Sequence, residues 1–293
     1  MANSKIKIGD KIISKNSTPY FIAEIGINHN GDMSVVKKLI DAANATHWDS
    51  VKFQKRTPDL TVPEHQKGVL RETPWGTMTY LDYKKRIEFE KTEYDEIASY
   101  CSVKPIDWSA SPWDIPSVEF LAEYKIPYIK IASAMNTNVD LIKCCCQLKI
   151  PLLVSTGMSL IEEVDETVNL LEKYSSGDYI LLHTNSSYPA KNSDLNLMLI
   201  DTLHNRYNCL IGYSGHEQNL EPTVVAAALG AVVIERHVTL AHEMWGTDQE
   251  ASLEVNAMYL LRRRVMSVIE AMGNGVKDLS QDEMEVRLKL RGN

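Results

Sequence analysis

Two glutamates, two lysines and two histidines fall where buried strands would end. Glu24 lies in FIAEIG among Phe21, Ile22, Ala23 and Ile25, Lys52 in SVKFQ, and Lys130 in YIKIAS. His216 follows LIGYS, and Glu235 and His237 close VVIERH. A charge left uncompensated among such apolar residues costs several kcal/mol, so each must meet a partner or a ligand. Two ammonium groups with Ser111, Ser133 and Ser214 suit a cradle for phosphate and carboxylate oxygens. The simpler alternative is that each lysine only neutralises an internal carboxylate, Glu24 or Glu235. His216 and His237 end consecutive strands, and imidazoles so placed suit a divalent metal, with Mn, Fe, Co and Zn all compatible. Satisfied core histidines are commoner than ligands, so the pair alone is weak. Asp248 follows the last strand, as a second occupant of the same mouth or as a solvated loop carboxylate. Tyr188, before Pro189, is either a substrate wall or a loop anchor.

The elements that must position these groups repeat eight times. Strand candidates are YFIAEI (20–25), SVKFQ (50–54), DWSAS (107–111), YIKIAS (128–133), PLLVST (151–156), YILLHT (179–184), LIGYS (210–214) and VVIERH (232–237). Most are continuous apolar runs, as expected of parallel strands covered on both faces. Between them, Val36, Leu39, Ile40 and Ala43 keep helical spacing, Ser159 to Glu162 reads as a capping box opening a helix to Tyr174, and a helix over about 255–272 stops before Gly273. Eight strand–helix pairs in this length predict a (β/α)8 TIM barrel, in which catalytic groups sit at the C-terminal strand ends. All eight ends carry polar residues, including Ser155, Thr156 and His183. A doubly wound open sheet is the alternative, but no glycine fingerprint follows the first strand. Residues 1–19 read as an N-terminal β-hairpin extension, 277–293 as a C-terminal tail, and 55–91 as a long functional or flexible connection. One domain is expected over 1–293.

Composition narrows the partners. A net charge of −8 argues against a nucleic-acid or anionic-membrane surface, and no apolar run is long enough to span a bilayer. Five cysteines, three of them consecutive at Cys144–Cys146, fit partly buried helix residues in a reduced cytoplasm better than a disulfide framework.

Several segments then resemble one family, the N-acetylneuraminate (sialic acid) synthases and their nonulosonate-synthase relatives. They are IAEIGINHNG (22–31), VKFQ (51–54), TPWGTMTYLDYKKRIEF (73–89), YIKIAS, STGM (155–158), GYSGHE (212–217), ERHVT (235–239) and MWGTDQEASLE (244–254). The resemblance implies a transferase that condenses phosphoenolpyruvate with an open-chain aldose, N-acetylmannosamine or a related hexosamine, and releases phosphate. It implies that Lys52, Lys130, Ser133 and Ser214 hold phosphoenolpyruvate, with Ser111 a weaker candidate. His216 and His237 would bind the metal, with Mn²⁺ expected first and Mg²⁺ or Co²⁺ as alternatives. Glu24, kept ionised near the lysines, would accept a proton, and Gln54, Tyr188 and Asp248 would contact the sugar, with Ser186 a further substrate-binding candidate. At least one of Asn28, His29 and Asn30 is also expected to touch it.

The chain departs from the family pattern at Met135, where a sugar-contacting glutamate is common, at Ser186, where an asparagine is common, and at Gly215, where an aspartate is frequent. It stops at RLKLRGN, where typical members continue into an antifreeze-like domain, so a short form without that domain is expected. Family members are dimers, so a homo-oligomer is expected too. Competing readings are a synthase using another aldose, phosphorylated or not, a metal-dependent sugar isomerase or hydrolase, and a non-catalytic sugar-acid-binding barrel.

Overall fold

The structure, a computed structural model, describes residues 2–291. Its strands in chain order are β1 (Lys5–Ile8), β2 (Lys11–Ser14), β3 (Tyr20–Gly26), β4 (Ser50–Lys55), β5 (Leu70–Arg71) and β6 (Met78–Thr79). They continue with β7 (Asp107–Pro112), β8 (Ile129–Ile131), β9 (Leu152–Ser155), β10 (Tyr179–Thr184), β11 (Leu210–Gly215) and β12 (Val233–His237). Eight of them form one parallel sheet in the order β7-β4-β3-β12-β11-β10-β9-β8. At the seam, Ser109 Oγ of β7 donates to the Tyr128 carbonyl just before β8, at 2.6 Å. The architecture is the expected (β/α)8 barrel, and the eight sequence-predicted strands match within about two residues at each end.

Side chains alternate across each strand, so every barrel strand serves two environments. Outward residues such as Phe21, Ala23, Val51, Phe53, Leu181 and Ile211 pack under the helices in one large core. Inward residues divide by height. At the N-terminal end Tyr20, Ile22, Tyr128, Leu153, Ile180, Leu182 and Val233 form a second apolar cluster. The predicted hairpin, β1 paired antiparallel with β2, adds Ile6, Ile8 and Ile13 to that cluster. It plugs the bottom of the barrel, and charged groups are left to the upper layer.

The helix Met33–Ala45 buries Val36, Leu39, Ile40 and Ala43, and Asp32 caps it by accepting from Ser34 N at 2.7 Å. The last long helix runs Val255–Met272 and ends at Gly273, as expected. The box at the start of the Ile161–Tyr174 helix differs by one residue from the expected one. Glu163 accepts from Leu160 N at 2.7 Å, while the Ser159 hydroxyl takes a hydrogen bond from Asn136. Nor is 55–91 a loose connection. It folds into two short helices (Pro58–Thr61 and Glu64–Lys67), the small β5–β6 hairpin and a helix Tyr80–Ile87. Tyr83 and Ile87 of that helix are buried, which gives the segment apolar anchors that its many charges conceal in the sequence.

Candidate active site

The upper inward layer of the barrel surrounds a cavity of about 180 Å³. Glu24, Lys52, Gln54, Ser111, Lys130, Ser133, Ser186, Tyr188, Ser214, His216 and His237 all line it. Asp248 stands beside them, its Oδ2 3.9 Å from His237 Nδ1. Trp113, Ala132, Ala134, Met158 and Thr184 also line the cavity without having been anticipated. Thr184 replaces His183 as the β10 contribution. Inward positions on β10 are Ile180, Leu182 and Thr184, so His183 faces outward and contacts the Leu195 carbonyl at 2.7 Å. Period-two counting from Ile180 would have found this.

Four charges alternate in sign across the floor. Lys52 Nζ lies 2.6 Å from Glu24 Oε2 and 3.9 Å from Glu235 Oε2, and donates to Ser111 Oγ at 2.9 Å. Lys130 Nζ donates to Ser155 Oγ at 2.7 Å and lies 3.5 Å from Glu235 Oε1. Ser214 Oγ donates to that same oxygen at 2.9 Å. Each lysine therefore neutralises a carboxylate and also lines the cavity. All four ions are almost fully buried, which costs several kcal/mol per ion before mutual attraction offsets it.

The two carboxylates differ. Burial alone would raise Glu235, but Lys130 and Lys52 outweigh it and bring its pKa down to about 2. At Glu24 burial wins over Lys52 and His237, so its pKa is raised. Glu235 is thus the carboxylate held firmly ionised by the lysines, while at Glu24 Lys52 and His237 only partly oppose burial, so Glu24 is the carboxyl that takes up a proton more readily. Its position is fixed by Gln54, whose Nε2 donates to Glu24 Oε1 at 3.3 Å. Gly26, at φ 53°, permits the turn that follows; a Cβ there would meet Glu24 Oε1 at 3.1 Å and Gln54 Nε2 at 3.2 Å.

The imidazoles form the other wall. His216 and His237 have ring centroids 5.4 Å apart, and Tyr188 stacks on His216 at 4.1 Å and edges His237 at 5.6 Å. His216 Nδ1 is 2.5 Å from the Asn185 carbonyl. A carbonyl only accepts, so Nδ1 carries the proton and Nε2 keeps its lone pair. Burial, then His237, lowers the His216 pKa to about 3, which keeps the ring neutral as a ligand must be. His237 Nδ1 is buried without a hydrogen-bond partner. This donor set fits a divalent ion held by two imidazoles and completed by water or substrate oxygens. Among the described residues no group of three His, Cys, Asp or Glu side chains is arranged to hold a metal unaided.

Other motif residues are structural. Asn28 Nδ2 donates to the Val238 carbonyl and to Ser252 Oγ, His29 stacks on Phe89 at 4.0 Å, and Asn30 Nδ2 donates to the Trp245 carbonyl. None of the three lines the cavity, and the contacts they make brace the β3 loop. Burial also drops the His29 pKa to about 3. In GYSGHE and ERHVT, Glu217 and Arg236 form a fully buried pair at 3.2 Å with Thr223. Gly215 follows from this pair, because a Cβ there would lie 2.6 Å from Glu217 Oε2.

A profile described as the NeuB family matches residues 39–277. N-acetylneuraminate-9-phosphate synthase of Drosophila melanogaster is 39% identical over 240 residues, 80% of this chain and 64% of the fly protein. The chain thus spans less than two thirds of that relative's length. N,N'-diacetyllegionaminic acid synthase of Legionella pneumophila is 32% identical over 99% of this chain and 83% of its own. The crystal structure of the sialic acid synthetase of Leptospira borgpetersenii in complex with citrate superposes with a TM-score of 0.86 at 30% identity, covering 99% of this chain and 98% of that one. The barrel, the motif order and these similarities agree: the chain belongs to the NeuB family.

Proposed function

We propose that this protein is a phosphoenolpyruvate-dependent synthase. It joins phosphoenolpyruvate to an open-chain aldose, N-acetylmannosamine or a related hexosamine, to give a sialic-acid-like 3-deoxy-2-ulosonate and inorganic phosphate. The observation that carries this is the floor of alternating charges, Glu24, Lys52, Glu235 and Lys130, ringed by serine hydroxyls beside the two imidazoles of His216 and His237. An isomerase or hydrolase needs no such double-lysine cradle.

Lys52 and Lys130 would hold the phosphate and carboxylate of phosphoenolpyruvate, with Ser111, Ser133 and Ser214 donating to its oxygens. Gln54, Tyr188 and Asp248 would orient the aldose so that its carbonyl carbon faces C3 of phosphoenolpyruvate. A divalent metal on His216 and His237, with Mn²⁺ foremost and Mg²⁺ or Co²⁺ as alternatives, would polarise the aldehyde. The C3–C1 bond forms, the aldehyde oxygen takes a proton, C2 accepts a water hydroxyl, and the C2 adduct expels phosphate to leave the keto acid. Glu24 exchanges protons during these steps, while ionised Glu235 stabilises the cationic C2. The lysines stabilise the departing phosphate. No helix of the described residues is long and apolar enough to cross a membrane, and all five cysteines are free, which supports a cytoplasmic enzyme.

The cradle makes a binding prediction. Phosphoenolpyruvate brings negative charge beside Glu24 and raises its pKa further, so binding takes up a proton. Titration calorimetry in buffers of different ionisation enthalpy should show that uptake, about one proton at most, and it should shrink as pH rises above the Glu24 pKa of the complex. Lys130→Met should weaken binding about 100-fold, the loss expected when one partner of a buried charge pair is removed. Failure of phosphoenolpyruvate to bind the folded protein would overturn the cradle.

A further inference from the structure

Behind the imidazole wall, on the outer side of the sheet, lies a charge pair that takes no part in the chemistry above. Glu217 follows His216 and Arg236 precedes His237, so the chain neighbours of the two imidazoles are themselves ion-paired, at 3.2 Å. Both are fully buried. Arg236 Nη1 also donates to Thr223 Oγ1 at 2.9 Å and to the Asn219 carbonyl at 3.4 Å, while Nη2 donates to the Glu217 carbonyl. Glu217 in turn accepts from Thr223 Oγ1 at 2.6 Å and from the Tyr213 hydroxyl at 2.9 Å. A buried ion pair is seldom the most stable filling for a core, since apolar side chains of similar volume do as well or better. Here Arg236 Nε is also left without a hydrogen bond among the described residues. Stability alone does not account for the pair.

Its placement does. Strand pairing holds His237 opposite Glu24 of β3. On the other side of β12, the ladder with β11 ends where Gly215 stands opposite Arg236. His216 lies one residue beyond that end, where no ladder bond sets its distance from His237. Its carbonyl accepts from Ala190 N at 3.0 Å and its Nδ1 meets the Asn185 carbonyl, which ties it to the chain after β10 and not to β12. The span from β12 across to residues 217–219 is made by Arg236, which holds the carboxylate and the carbonyl of Glu217 with one head. Only a guanidinium has the forked donors to do both, because an ammonium is a point charge.

We infer that the Glu217–Arg236 pair is a positioning clamp, fixing His216 relative to His237 so that both imidazoles converge on one divalent cation. The inference rests on the reading of the two histidines as metal ligands, while the hold on His216 stands without it.

The test measures Mn²⁺ affinity in Arg236→Lys and in the double variant Glu217→Met with Arg236→Met, beside melting temperature and metal-free binding of phosphoenolpyruvate. Mn²⁺ binding, followed by the electron paramagnetic resonance of the free ion, should weaken about 10- to 100-fold in both, the usual loss when a group supporting a ligand is removed. Phosphoenolpyruvate binding should stay within about twofold, as for sites that share no partner. The double variant, in which no charge is left unpaired, should melt at or above the parent. If Arg236→Lys does not fold, the double variant decides alone. Mn²⁺ affinity like the parent's would overturn the clamp, as would an equal weakening of phosphoenolpyruvate binding or a metal loss that merely tracks a lower melting temperature. If the unaltered protein binds no divalent metal, the ligand reading fails instead, and imidazole NMR decides the clamp. A His216 Nδ1 proton protected from exchange in the parent and lost in the double variant supports it; unchanged protection overturns it.

Discussion

Replacing Glu24 with glutamine should lower kcat by about 10²- to 10⁴-fold, the usual worth of a positioned proton-transfer group. The substitution keeps the size of the side chain and its contact with Gln54, so binding of phosphoenolpyruvate should survive. The proton uptake that accompanies binding should disappear, because Glu24 is the carboxyl with the raised pKa. Stability should move the other way. A carboxyl whose folded pKa lies above its unfolded value stabilises the fold while protonated, and that contribution is lost as pH rises through the folded value. At neutral pH the ionised Glu24 is therefore a burden, and the glutamine variant should melt higher than the parent. The difference should fade as pH falls into the range where Glu24 is protonated in both states. Melting curves at several pH values and steady-state rates check both halves. An active variant, or one less stable at neutral pH, would contradict the assignment.

Replacing His237 with alanine should remove metal and activity together, with a loss of at least about 10³-fold, equivalent to the several kcal/mol a Lewis acid supplies. His237 is the imidazole whose Nδ1 lacks any hydrogen-bond partner, and it stands between Tyr188 and Asp248 at the cavity wall. His216 alone, already tied to the Asn185 carbonyl through Nδ1, offers one nitrogen. Metal content by mass spectrometry after chelation and reloading, measured beside the rate, reads the outcome. A variant that stays metal-replete and active would place the metal elsewhere.

Much of the site was legible because a parallel barrel writes it in two superposed patterns. The continuous apolar runs betray strands covered on both faces, and the polar residues at their ends mark the catalytic rim. Glu24, Lys52, Lys130, His216 and His237 were found this way, and the cavity gathers all five. What escaped depended on direction and on neighbours distant in sequence. His183 and Thr184 differ by one residue and face opposite sides of β10. The relative basicity of Glu24 and Glu235 depends on which carboxylate stands between two lysines, and strand order alone does not place them. The bracing role of Asn28 needs Val238 and Ser252, more than 200 residues away along the chain. Residues 55–91 read as a loop because its charges mask the anchors Tyr83 and Ile87.

The central claim is carbon–carbon bond formation coupled to loss of phosphate. Incubating the metal-loaded protein with phosphoenolpyruvate and a panel of aldoses, phosphorylated and not, while quantifying inorganic phosphate and 2-keto acid, addresses it most directly. The account predicts that at least one hexosamine gives aldose-dependent phosphate release matched mole for mole by a 3-deoxy-2-ulosonate. Folded, metal-loaded protein that binds phosphoenolpyruvate yet releases no phosphate with any aldose, or releases it without the keto acid, would contradict it.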